Sequence, residues 1–96
     1  MFIIVSYDIP DNRRRTQVMK TLRNFGSHVQ YSVFECELNA DQYKRLQESL
    51  EKIVDKKADN VRFYQLNRED VRKRLVWGDK KEGPKPRDWY LVRNNE

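Results

Sequence analysis

A chain of 96 residues makes one domain, and at that size folding buries only about 60–65% of the unfolded surface, which limits the core to a two-layer sandwich and favours a partner subunit. With 38% hydrophobic and 36% charged residues, and 20 Lys and Arg against 15 Asp and Glu, the formal net charge of +5 favours anionic partners, nucleic acid above all, without bearing on fold. A single cysteine, Cys36, and a single histidine, His28, exclude an internal disulfide and a zinc site of the usual Cys/His type, and no apolar stretch approaches the roughly 18–20 residues that span a bilayer.

The N-terminal run Phe2-Ile3-Ile4-Val5 meets Asp8 too early for the apolar region of a signal peptide, so a cytoplasmic, soluble, single-domain protein over 1–96 is expected. Residues 2–8 read as a central strand buried on both faces. Pro10 ends it, and Asp11 offers a side-chain cap for a helix beginning near Asn12. Val18, Met19, Leu22 and Phe25 recur at helical spacing, and Gly26 stands where a C-terminal stop is expected. From 28 to 38 the residues alternate, with Val29, Tyr31 and Val33 on one side and Phe34, Cys36 and Leu38 on the other. The change of parity between Val33 and Phe34 points to a bulge, a bend, or two short strands.

Asn39 followed by Gln42 reads as a capping box for a second helix with the stripe Tyr43, Leu46, Leu50, Ile53 and Val54. Lys56 and Lys57 suit the negative pole of its dipole. Residues 61–66 form a further strand, and Asn67 to Asp70 cap one or two helical turns over 71–75. A basic loop at 78–87, rich in Gly, Pro and Lys, leads to a last short strand at 88–92 with Trp89, Tyr90, Leu91 and Val92. Read as βαββαβ, the order is the ferredoxin-like α/β (α+β) sandwich, an antiparallel sheet with both helices on one face. The late strand is free either to pack on its own sheet or to cross to a second protomer, since a sheet edge is a template for another chain.

Asp8 carries the first chemical question. A carboxylate at the end of a buried strand is held at the sheet's rim, and hard cations such as Mg²⁺ take oxygen ligands of this kind. One carboxylate per chain is a meagre site, but a two-fold dimer opposing the strand ends would let one ion be shared between two protomers. Such an ion would activate water and screen charge on a phosphodiester. The alternative is that Asp8 forms a turn with Ile9 and Pro10, or caps the first helix together with Asp11. Tyr7 is open to three positions: core, dimer contact, or a hydroxyl near the metal. Arg13, Arg14 and Arg15 begin a helix, where the dipole disfavours positive charge, so they read as phosphate ligands, as partners for acids, or as a solvated face. His28 is either a general acid or base or incidental, and Phe34 either stacks on a base or is buried. Arg72 and Arg74, with Arg68, Lys73, Lys80, Lys81 and Lys85, suit sequence-independent backbone contacts or a solvated loop.

Three stretches in this order resemble one family over nearly the whole chain: Val5-Ser6-Tyr7-Asp8-Ile9, Asp11-Asn12-Arg13-Arg14-Arg15, and Val29-Gln30-Tyr31-Ser32-Val33-Phe34-Glu35. It is the CRISPR-associated endoribonuclease family that forms the small dimeric subunit of the spacer-acquisition complex. The resemblance implies a ferredoxin-like homodimer with a C-terminal strand exchanged or added across it. It also implies Asp8 as the Mg²⁺ ligand, one from each protomer, and a metal-dependent nuclease acting on single-stranded RNA or duplex DNA. The dimer would bridge the larger integrase subunits while holding duplex DNA. Arg15 falls on a basic position of the family, whereas Gln17 and His28 stand where some relatives carry arginine. The expected function is therefore a DNA-binding adaptation subunit with a phosphodiesterase site at paired Asp8; the alternative is an adaptor that cuts nothing. An RNA-recognition module of the RRM type is disfavoured, because the strands lack closely spaced aromatics with Lys/Arg-Gly.

Overall fold

The N-terminal run folds as β1 (Phe2–Asp8) with Ile3, Val5 and Tyr7 buried on one face of a sheet. Alternation sends Ile4, Ser6 and Asp8 to the other face, where Ile4 and Ser6 are half-buried and Asp8 is exposed. The strand is central, as expected, but only one of its faces is sealed. Pro10 ends it, and Asp11 caps α1 (Asn12–Arg23), its carboxylate accepting the Arg14 backbone N–H at 2.8 Å. Val18 and Leu22 enter the core, with Met19 and Phe25 packed at its margin.

Two strands follow in place of one, β2 (Ser27–Gln30) and β3 (Val33–Glu37), with Tyr31 and Ser32 at the turn. The pairing slips between His28 and Gln30, so the turn falls slightly before the change of parity in the sequence. Asn39 and Gln42 form the expected reciprocal box at the start of α2 (Ala40–Glu51), with both bonds at 2.8 Å. The helix is shorter than its apolar stripe. Ile53 and Val54 pack against the core from beyond its end, and Lys56 pairs with Glu51 at 2.7 Å rather than extending the last turn.

The chain returns as β4 (Asn60–Leu66), and α3 (Arg68–Arg72) begins ahead of the expected 71–75 because Asn67 and Asp70 cap each other reciprocally. All neighbours in the sheet are antiparallel, in the order β2-β3-β1-β4. Val18 and Leu22 of α1 and Leu46 and Leu50 of α2 share one core with Ile3, Val5, Tyr7, Phe34 and Cys36, so both helices cover the same face. This is the ferredoxin-like arrangement. The computed structural model describes residues 1–78. The expected strand 88–92, with Trp89, Tyr90, Leu91 and Val92, and all of the expected basic loop but Gly78, lie outside the described residues.

Gly26 has a different reason from the one its position suggests. Among the described residues only Gly78 has a positive φ, so Gly26 is not a left-handed helix stop. A Cβ there would meet the Glu35 carbonyl oxygen at 2.4 Å, Cys36 Sγ at 2.5 Å and Cys36 Cα at 2.9 Å. The residue is small because the end of the first helical unit lies against β3.

Candidate nucleic-acid interface

Asp8 ends β1 directly opposite Asn60 of β4, and Ser6 stands opposite Arg62. Residues paired across antiparallel strands share a face, so Asp8, Asn60, Arg62 and Ser6 all lie on the face away from the helices. Arg62 Nε donates to Asn60 Oδ1 at 3.0 Å. On the opposite flank the Tyr7 N–H donates to the Ser32 carbonyl at 3.1 Å, bringing the β2–β3 turn to the same rim. The chain beyond Asp8 is pinned by Arg15, whose Nη1 donates to the carbonyls of Ile9 at 2.7 Å and Pro10 at 3.4 Å, while Nη2 donates to Asn12 Oδ1. Asp11 does the capping of α1, and no group among the described residues bonds the Asp8 carboxylate. No set of three His, Cys, Asp or Glu side chains gathers around a common point among the described residues. Among the described residues Asp8 can therefore offer a hard cation one carboxylate per chain.

The arginines expected to meet nucleic acid separate into two groups. Arg13 and Arg72 are exposed. Arg14 is bound to Asp59 through Nε at 2.8 Å and Nη2 at 3.0 Å, and the Asp59 side chain is 0% exposed. Asp59 also accepts the Asp55 N–H at 2.9 Å, so this pair ties α1 to the turn that leads into β4. The Arg14 hydrogen bond holds the Asp59 carboxyl below its usual range against the opposing effect of burial. The same bond raises Arg14 further above its already high value. Arg74 pairs with Glu35 of β3 at 2.7 Å, lies 5.1 Å over the Phe2 ring, and is 12% exposed, as is Glu35. It anchors the chain after α3 to the open face of the sheet.

Tyr7, His28 and Phe34 lie on the helix-covered side. Phe34 is 0% exposed and Tyr7 4%, their rings 6.4 Å apart and tilted, so the core position is the one Tyr7 takes. Burial is the main influence raising the Tyr7 hydroxyl above its usual value of 10.0. His28 stacks on Phe34 at 4.5 Å, and its Nε2 lies 2.8 Å from the Tyr31 carbonyl, which orders the β2–β3 turn. The residues that sequence reasoning passed over are Asn60 and Arg62. The signal was present: Val61 and Phe63 point to the core, which puts the even-numbered residues of β4 beside Asp8.

The family model for CRISPR associated protein Cas2 matches residues 1–74. The chain belongs to the Cas2 family. It is 44% identical over 78 residues to a CRISPR-associated endoribonuclease Cas2 of Chloroflexus aurantiacus, covering 81% of this chain and 84% of the relative. A Cas2 endoribonuclease of Thermus thermophilus is 41% identical over 71 residues, covering 74% of this chain and 76% of its own. The Cas2 crystal structure from Streptococcus pyogenes superposes with a TM-score of 0.73 at 31% identity, covering 81% of this chain and 100% of that one. A hypothetical protein from Thermus thermophilus gives the same TM-score of 0.73 at 32% identity, over 90% and 96% of the two chains. Asp8, Asn60, Arg62 and the arginines named above all fall within the residues the Cas2 family model matches. Among the described residues no helix is long and apolar enough to cross a membrane.

Proposed function

We propose that this chain is the small homodimeric subunit of a CRISPR adaptation complex, binding duplex DNA and bridging integrase subunits, with a Mg²⁺-dependent phosphodiesterase site at the paired Asp8 side chains. The observation that carries the reading is the Asp8 carboxylate, exposed at the end of the central strand and bonded to nothing among the described residues. A carboxylate so placed is free to take a cation, and a two-fold axis past the strand end would supply the second one. The relatives' shared name, endoribonuclease, agrees with phosphodiester chemistry on RNA. Dimerisation has a surface available: Tyr64 on the open face and Leu75, Val76 and Trp77 beyond α3 are all exposed apolar side chains. The three consecutive residues Leu75, Val76 and Trp77 expose apolar area of the kind that marks association surfaces.

Asp8→Asn keeps the shape of the side chain and removes its charge. Cleavage of single-stranded RNA and of duplex DNA in Mg²⁺ should be lost in this variant, while spacer integration continues, because bridging needs only the dimer and its basic surface. Cleavage that persists in Asp8→Asn would remove Asp8 from the chemistry. A second reading is an adaptor that cuts nothing, in which Asp8 only ends the strand ahead of Ile9 and Pro10. It is the correct one if the wild-type protein supports integration yet cleaves neither substrate.

A further inference from the structure

The rim of the sheet holds two further polar side chains beside Asp8, Asn60 and Arg62. Asn60 sits directly across from Asp8, and Arg62 directly across from Ser6, so the guanidinium is two positions from the carboxylate on the same face. Side chains in that diagonal relation start about 7–8 Å apart, within reach of a long arginine. Yet Arg62 makes no ion pair with Asp8 or with any other carboxylate among the described residues. Its Nε is instead given to the Asn60 carboxamide at 3.0 Å. That bond holds the guanidinium by its inner nitrogen, and both terminal nitrogens of this exposed residue are without a bond among the described residues. A planar fork held in this way matches two oxygens of a phosphate.

The contrast with the other arginines sharpens the point. Arg14 and Arg74 each meet a carboxylate, and Arg15 has both terminal nitrogens engaged, Nη1 by backbone carbonyls and Nη2 by Asn12. Arg62 is tethered by a neutral amide, which orients a cation without neutralising it. A cation kept charged beside a carboxylate that could bind a metal is suited to a ligand that carries both a metal-binding oxygen and further negative oxygens. We infer that Arg62, oriented by Asn60, binds a phosphate of the nucleic acid that lies across the Asp8 rim. Arg62 is then a ligand-binding residue and Asn60 a positioning residue. The inference rests on the proposed role of Asp8, and its test is built so that the two can fail separately.

The test is equilibrium binding, with cleavage silenced by Asp8→Asn in every sample, of a fluorescent single-stranded RNA and a duplex DNA over a range of salt concentrations. Each phosphate contact contributes about 0.7 to the slope of log K against log salt for a single strand and about 0.9 for a duplex. Arg62→Ala should flatten the slope by about that one contact and weaken binding about tenfold at low salt, as loss of a charged hydrogen bond at an exposed site does. Arg62→Lys keeps the charge and should keep the slope while losing affinity through the missing fork. Asn60→Ala should likewise weaken binding with the slope preserved, which a merely structural residue would not do selectively. All three residues replaced are exposed, and unchanged circular dichroism should accompany each variant. If the parent binds with a steep slope and Arg62→Ala has the same slope and affinity, the inference falls while the proposed function stands. If the parent binds neither nucleic acid, the proposed function falls and takes this inference with it. A slope unchanged in Arg62→Ala together with new self-association would show that the arginine only guards the edge of β4 that is unpaired among the described residues, and would overturn the inference as well.

Discussion

Replacing Gly26 by alanine sets two effects of opposite sign against each other, and the geometry decides between them. Gly26 does not need a positive φ. On backbone grounds alone, alanine would stabilise the fold by about 0.4–1 kcal/mol, by reducing the freedom of the unfolded chain. Against this stands the new methyl group, 2.4 Å from the Glu35 carbonyl oxygen, 2.5 Å from Cys36 Sγ and 2.9 Å from Cys36 Cα. Two of those three neighbours are backbone atoms of β3 and cannot rotate away. Inserting one carbon into a packed interior costs about 1–3 kcal/mol, and contacts with backbone belong at the upper end. The net expectation is a loss of about 2 kcal/mol. For a domain of this size that lowers Tm by about 8–16 °C.

The assay is thermal and urea unfolding at one fixed protein concentration, since association would otherwise shift the apparent stability. Trimming the thiol with Cys36→Ala in the Gly26→Ala background should not recover stability, because the carbonyl contact at 2.4 Å remains. A Gly26→Ala protein as stable as the parent, or more so, would show that the helix end can withdraw from β3 freely. The packing account of Gly26 would then be wrong.

Asp59→Asn should flatten the acid limb of the stability curve: a carboxyl held low by Arg14 stabilises the fold above its unfolded value near 4 and loses that contribution as pH falls through the folded value. Unfolding midpoints between pH 2 and 7 would show it, and a variant whose acid limb matches the parent's would contradict the assignment. Tyr7→Phe should act at the other end, because a hydroxyl raised by burial stabilises the fold below about pH 10 and loses that contribution as pH climbs through the raised value. The alkaline decline should be shallower in the variant. Leu46→Ala, at a fully buried position of α2, should cost about 2–5 kcal/mol in urea unfolding without altering where nucleic acid binds.

The order of elements was readable because it rests on short-range patterns. Asp11 and the Asn39/Gln42 box are local chemistry, and each performs the cap its spacing announces. The core was equally legible, since Val18, Leu22, Leu46 and Leu50 follow helical period and all lie buried. The strand region 28–38 was ambiguous for a physical reason. A bulge near Val29 and a turn at Tyr31 and Ser32 both reset the alternation, and the sequence records only their combined effect. The end of the second helix was misplaced because Ile53 and Val54 belong to the same apolar surface from outside the helix. Gly26 shows the same limit, since a helix stop and a close approach demand the same small residue.

The candidate interface was legible only in part, and the arginines explain why. In the sequence Arg13, Arg14 and Arg15 are equivalent, three cations at the unfavourable end of a helix dipole. The fold makes them different by bringing up partners that no local pattern can reveal. Asp59 is 45 residues from Arg14, and Glu35 is 39 residues from Arg74. Those two cations therefore serve cohesion, joining α1 to the β4 approach and the end of α3 to β3. The count of 20 Lys and Arg overstates what is available to a phosphate backbone, because a cation paired with a carboxylate inside the fold releases no counterion on binding. Exposed arginines without a carboxylate partner among the described residues include Arg13 at the start of α1, Arg72 on α3, and Arg62 on the rim beside Asp8. The last is easily passed over in the sequence, because the alternation with Val61 and Phe63 gives its face but not its neighbours, and an arginine there looks like the wet side of an ordinary strand. Only the antiparallel register, which sets Asn60 against Asp8 and Arg62 against Ser6, turns that wet side into part of a site.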